Sequence, residues 1–113
     1  MEKIIQYQTI IADLVKQIGV WVVEDNIETQ VIIDHENGHY LLFSVGWYEN
    51  TKREYAPFLH IDLKPNGKVY LQHDGTDLKI ALLLSEKGIA KSDIILAFHA
   101  PQRRQYVEGF ATV

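Results

Sequence analysis

At 113 residues with 47% hydrophobic content, the chain is sized for one domain spanning 1–113, able to bury about two-thirds of its unfolded surface. Zero cysteines exclude a disulfide framework and a thiolate zinc site. A net charge of −4 and a pI near 5.7 argue against direct nucleic-acid binding, since neutralising phosphates requires a Lys/Arg surplus on some face.

Ile4, Ile5, Tyr7, Ile10, Ile11, Leu14, Val15 and Ile18 recur at helical spacing, which predicts an amphipathic helix over 2–18 with Gly19 as its stop. Glu2 and Asp13 interrupt the apolar pattern, unlike a signal peptide, and no apolar run approaches the roughly 20 residues that span a bilayer, so the expected location is the cytoplasm. From Ile27 the period changes to two: Ile27, Thr29, Val31 and Ile33 alternate with Glu28, Gln30, Ile32 and Asp34. A three-residue Glu36-Asn37-Gly38 loop would set Val31 against Phe43 and Ile33 against Leu41 in a second strand from His39 to about Tyr48. Leu41, Phe43, Val45 and Trp47 then share the core face, opposite Tyr40, Ser44 and Gly46.

Tyr48 to Glu54 reads as a loop, and Pro57 marks the start of a third strand or a bulge in it. Lys64-Pro65-Asn66-Gly67-Lys68 has the chemistry of a type I turn closed by a G1 bulge, pairing Lys64 with Lys68. Counting back from that turn places Leu59, Ile61 and Leu63 with Val69, Leu71 and His73 on the core side. His60 and Asp62 fall on the other side with Tyr70, Gln72 and Asp74. Thr76 is the expected N-cap of a second helix, with Asp77 in its first turn, an apolar stripe on Leu78, Ile80, Ala81, Leu82 and Leu84, and a Schellman stop at Gly88-Ile89. Lys91-Ser92-Asp93 is a short turn or single helical turn, Ile94 to His99 a last strand ended by Pro101, and Arg103 to Val113 a short helix or irregular tail. The order predicts an α+β fold: a mostly antiparallel sheet, built from a four-strand meander plus a C-terminal strand, with two helices packed on one face and the polar face open.

A family resemblance rests on the segments Glu28 to Asp34, Tyr40-Leu41-Leu42 to Gly46-Trp47, His60-Ile61-Asp62, Leu71-Gln72, Asp74-Gly75-Thr76 and Gly88-Ile89 to Phe98. Together these resemble, nearly end to end, the XisI-like proteins, called fdxN element excision controlling factors. Tyr70, Asp77 and Ala90 stand where Trp, Glu and Pro are common in such proteins. The resemblance implies a small cyanobacterial regulatory protein needed for DNA rearrangement, the excision of an element during heterocyst differentiation. Its implied partners are recombination machinery or XisH, a companion that looks like a restriction nuclease.

Two constellations compete with that regulatory reading. Asp62-Leu63-Lys64 has the D-x-K form of metal-dependent nucleases, with Asp34 offering a second carboxylate to Mg²⁺, but the pattern needs only two common residues. His60, Asp62, Gln72 and Asp74 could hold a metal, although a core-facing His73 removes the two-histidine version. No serine elbow, phosphate loop or other catalytic signature is present, so no catalytic, cofactor or metal residue is assigned. Tyr48 and Tyr55, beside the 48–54 loop, are candidate interface anchors. The expected function is non-enzymatic: a partner-facing polar patch made of Glu28, Gln30, Asp34, His60, Asp62, Tyr70, Gln72 and Asp74. An antitoxin-like neutraliser of a nuclease is the alternative, and the same face or a sheet edge could also support a homo-oligomer.

Overall fold

The computed structural model describes residues 2–101 together with Phe110 and Ala111. Helix α1 (Glu2–Trp21) forms as its periodicity dictates, burying Tyr7, Ile11, Ala12, Leu14, Val15 and Ile18. Ile5 lies off that stripe and is 60% exposed, a correction to its expected core role. Gly19 does not stop the helix, which runs on to Trp21. Instead it lets the helix approach the sheet, since a Cβ there would come within 2.8 Å of Val31 Cγ2.

Strands β1 (Ile27–Asp34), β2 (His39–Tyr48), β3 (Lys52–Leu63) and β4 (Val69–Asp74) form an antiparallel meander. After helix α2 (Ile80–Glu86) and a 3₁₀ turn over Lys91–Asp93, strand β5 (Ile94–Leu96) pairs parallel to β4, giving the order β1-β2-β3-β4-β5. The expected architecture is therefore present, with the last strand on the β4 edge. One apolar cluster joins side chains of both helices to Tyr40, Leu42, Leu59, Ile61, Leu63, Val69, Leu71, Ile94 and Leu96. Both helices thus cover the same face of the sheet. Among the described residues no helix is long and apolar enough to cross a membrane.

The first hairpin departs from the expected register by one residue. Asp34 pairs with His39 across a four-residue loop, because the Asp34 carboxylate accepts hydrogen bonds from Asn37 N at 3.1 Å and Asn37 Nδ2 at 2.9 Å and draws His35 into the turn. With a side-chain period of two, that single step exchanges the faces of β2. Tyr40, Leu42 and Ser44 are buried, whereas Leu41, Phe43 and Val45 turn away from the helices and Trp47 is 46% exposed. The expectation that Trp47 belongs to the core, and Tyr40 and Ser44 to the polar face, is thereby corrected.

The connection after β2 shrinks to Glu49, Asn50 and Thr51, with Glu49 and Asn50 both at positive φ, so the third strand begins well before Pro57. Pro57 stands beside a bulge: Phe43 pairs with Pro57 and Leu42 with Leu59, leaving Phe58 unopposed. Helix α2 starts at Ile80 rather than near Thr76. The Asp74 carboxylate accepts the Ile80 N–H at 3.3 Å, and Thr76 Oγ1 accepts only the Leu78 N–H. Leu78 and Leu82 are each 39% exposed, off the buried stripe of Ile80 and Leu84. The Schellman stop forms as expected, with Ile89 N–H donating to Leu84 O, Gly88 N–H to Ser85 O, and Ile89 buried. The last strand is three residues, not six. The expected tail from Arg103 to Val113 lies, apart from Phe110 and Ala111, outside the described residues; Ala111 bridges to Ile95.

One polar joint sits inside this packing. The Asp93 carboxylate accepts from Tyr7 Oη at 2.7 Å and from Lys68 Nζ at 3.3 Å, and pairs with Lys3 Nζ at 2.7 Å, while Tyr7 Oη accepts the Ala90 N–H. It ties α1, the turn leading into β4 and the turn before β5 together.

Candidate functional site

The face of the sheet turned away from both helices is assembled by alternation and by two bulges. From β1 it takes Glu28, Gln30, Ile32 and Asp34, and from β2, in register opposite them, Val45, Phe43, Leu41 and His39. Strand β3 adds Arg53, Tyr55 and Pro57 on one side of the Phe58 bulge and His60 and Asp62 on the other. Strand β4 contributes Tyr70 opposite Asp62; Gln72 is then unopposed at a second bulge, where pairing moves from Ile61–Leu71 to His60–His73. That bulge corrects the placement of His73, which is exposed rather than directed to the core.

The face has two zones. Towards the 64–68 turn, Asp62 is buried and both its carboxylate oxygens are engaged: Oδ1 lies 2.7 Å from His39 Nδ1 and 2.8 Å from His60 Nε2, and Oδ2 accepts from Gln72 Nε2 at 3.0 Å. Burial pushes the Asp62 carboxyl up, but the hydrogen bonds from His39, His60 and Gln72 outweigh it and hold it below the usual carboxylate range. Asp93 is likewise pushed up by burial and held lower by Lys3, Tyr7 and Lys68. A carboxylate depressed in the folded state contributes stability above its unfolded pKa and loses it as pH falls through the folded value. The melting temperature should therefore drop between roughly pH 5 and pH 3, and drop less steeply in Asp62→Asn. A pH-independent melt over that window would contradict these two assignments.

Towards the other end the face is aromatic. The Phe43 and Tyr55 rings meet edge to face with centroids 4.9 Å apart, and the Arg53 guanidinium lies 5.2 Å from the Trp47 ring and 5.5 Å from the Tyr55 ring. Tyr55 is 64% exposed and Ile32 41%, so with Trp47 they form an apolar surface that no described helix covers. Tyr48 and Tyr55 had signalled an interface by type alone; Phe43, Leu41, Val45 and Trp47 were missed because their face depended on the first turn.

Of the expected polar patch, Glu28, Gln30, His60, Asp62, Tyr70 and Gln72 lie on this face. Asp34 lies on it too, but its carboxylate is engaged by Asn37. Asp74 does not belong to it: it stands opposite the buried Leu59, and its carboxylate accepts from Thr76 N, Thr76 Oγ1 and Ile80 N. The nuclease constellation is not gathered either, since Lys64 Nζ sits over the Tyr70 ring at 5.6 Å and Asp62 is held by two histidines. His39, absent from the expected patch, is the residue the structure adds; it stands directly across from Asp62.

Comparison with known proteins gives a consistent picture. The family model described as XisI protein matches residues 1–112. The solved structure of a XisI-like protein from Anabaena variabilis is 33% identical, with a TM-score of 0.87, over 96% of this chain and 98% of that one. The structure of the fdxN element excision controlling factor XisI from Anabaena variabilis is 29% identical, with a TM-score of 0.83, over 98% and 99% of the two chains. No curated protein matches the chain.

Proposed function

This chain belongs to the XisI family, and from that premise we propose that it is a non-enzymatic controlling factor of DNA-element excision that acts by docking a protein partner on the open face of its sheet. The proposal takes its functional class from the similar Anabaena variabilis structure described as an fdxN element excision controlling factor. A cytoplasmic role in heterocyst differentiation belongs to the same reading. The observation that carries the docking surface is the exposed Ile32, Trp47 and Tyr55 group beside the half-buried Phe43. Aromatic side chains with an adjacent arginine are the groups that dominate protein interfaces, and a solvated polar face would serve a monomer better.

The acidic side chains Glu28 and Asp34 on the β1 strip would suit a partner whose own surface is basic for DNA, as a nuclease-like XisH companion or a recombinase would be. Acids at the rim steer association, and the aromatic zone holds the complex. The double variant Trp47→Ala, Tyr55→Ala should weaken co-purification with the companion about tenfold or more while leaving the thermal melt nearly unchanged. Retention of the companion at the wild-type level would sink this surface. Cleavage of supercoiled DNA with Mg²⁺ by the purified protein, lost in Lys64→Ala, would overturn the non-enzymatic reading.

A further inference from the structure

Two imidazole nitrogens converging on one carboxylate oxygen are more than a buried aspartate requires. Gln72 and a single histidine would already satisfy Asp62, yet His39 and His60 both turn a nitrogen to the same Oδ1, from 2.7 and 2.8 Å. One ligand atom from each of the three residues lies within 4.8 Å of the others. The donors come from adjacent rigid strands: His39 is paired with Asp62 across β2 and β3, and His60 precedes Asp62 by two residues on the same face.

We infer that His39 Nδ1, His60 Nε2 and an Asp62 carboxylate oxygen form a binding site for a divalent transition metal of the imidazole-preferring kind, zinc or cobalt. Ligand atoms on a tetrahedral zinc ion stand about 3.3 Å apart, given bonds of about 2.0 Å, so each histidine nitrogen needs to part from Asp62 Oδ1 by only about half an ångström, and the two nitrogens already lie within 4.8 Å of each other. A neutral imidazole meets the ion by carrying its proton on the far nitrogen, Nε2 of His39 or Nδ1 of His60. The Gln72 amide, donating to Asp62 Oδ2 at 3.0 Å, fixes the carboxylate so that Oδ1 stays aimed at the histidines, the supporting role that outer hydrogen bonds play around metal ligands. His39 and His60 side chains are 46% and 30% exposed, which leaves the remaining coordination positions open to water or to an incoming side chain. Two histidines and one carboxylate with open positions suit zinc, cobalt or iron(II), and an oxygen-only cation such as Mg²⁺ fits poorly.

The inference stands whether or not the face docks a protein, and it is tested on the isolated full chain. Protein without a polyhistidine tag, stripped by a chelator, is titrated with Zn²⁺ in a calorimeter and with Co²⁺ under visible absorption. Saturable binding at one site is expected, with Co²⁺ bands of a nitrogen- and oxygen-ligated ion. His39→Ala and His60→Ala should each weaken Zn²⁺ binding about tenfold or more, with His39→Gln as a milder second variant. His35→Ala, whose ring pairs with Tyr40 Oη at 2.9 Å, should leave binding unchanged. No saturable binding by wild type, or titrations unaltered in both the His39 and His60 variants, would overturn the site.

Discussion

Asp93→Ala should lower the unfolding free energy by about 3 kcal/mol, read from urea melts at an unchanged m-value. Asp93 is 6% exposed and its carboxylate accepts the Tyr7 hydroxyl at 2.7 Å, so its removal leaves a buried hydroxyl without its acceptor as well as deleting a charge-assisted bond. Lys68 loses one of its two contacts, and the turn before β5 keeps only the Ala90 N–H bond to Tyr7 as a polar tie to α1. The half-exposed Lys3 matters less, because water and salt screen its pair. Tyr7→Phe removes the same bond from the other end and should cost less, about 1 kcal/mol, and the double variant should fall well short of the sum because the two share one interaction. Strict additivity, or a loss under about 1 kcal/mol in Asp93→Ala, would show that the joint is ornamental.

Gly38→Ala should be comparably damaging, also by about 3 kcal/mol, for a backbone reason. Gly38 closes the first hairpin at φ +75° and donates to Asp34 O, and its own carbonyl accepts the Leu63 N–H at 2.8 Å. A Cβ there would overlap the Leu63 carbonyl oxygen, so alanine is penalised by its left-handed conformation and again by the backbone of β3. Because the loop fixes the β1–β2 register, the variant should also raise hydrogen exchange across that pair of strands more than across β3–β4. A wild-type melt for Gly38→Ala would mean that the loop is not held as described.

Where the chain punctuates itself locally, the fold could be read in advance. Pro65-Asn66-Gly67 sets its hairpin because the turn supplies its own bonds: Gly67 N–H to Lys64 O and Lys68 N–H to Asn66 Oδ1. The pairs Leu63–Val69, Asp62–Tyr70 and Ile61–Leu71 follow as counted. The Gly88-Ile89 stop was legible for the same reason. The first hairpin was not, because the similar-looking Glu36-Asn37-Gly38 is overruled by Asp34, whose side chain claims Asn37 and lengthens the loop by one residue. That step moved Leu41, Phe43, Val45 and Trp47 out of the expected core and onto the open face. The bulge at Gln72 was equally invisible, since Leu71, Gln72 and His73 read as an unbroken alternation in the sequence, whereas the extra residue carries His73 off the core side. The most consequential polar contacts join distant positions, Tyr7 to Asp93 and His39 to Asp62, 86 and 23 residues apart, and no local pattern announces them.

Site-specific photocrosslinking tests the docking surface most directly. A benzoylphenylalanine placed at Tyr55 or at Gln30, on the open face, is compared with one at Val20, which is 75% exposed on α1 in the opposite layer. With the nuclease-like companion co-expressed, crosslinks should arise from positions 55 and 30 and be absent from position 20. Crosslinking from position 20 alone, with both sheet positions silent, would contradict the claim that this family member works through the uncovered face of its sheet.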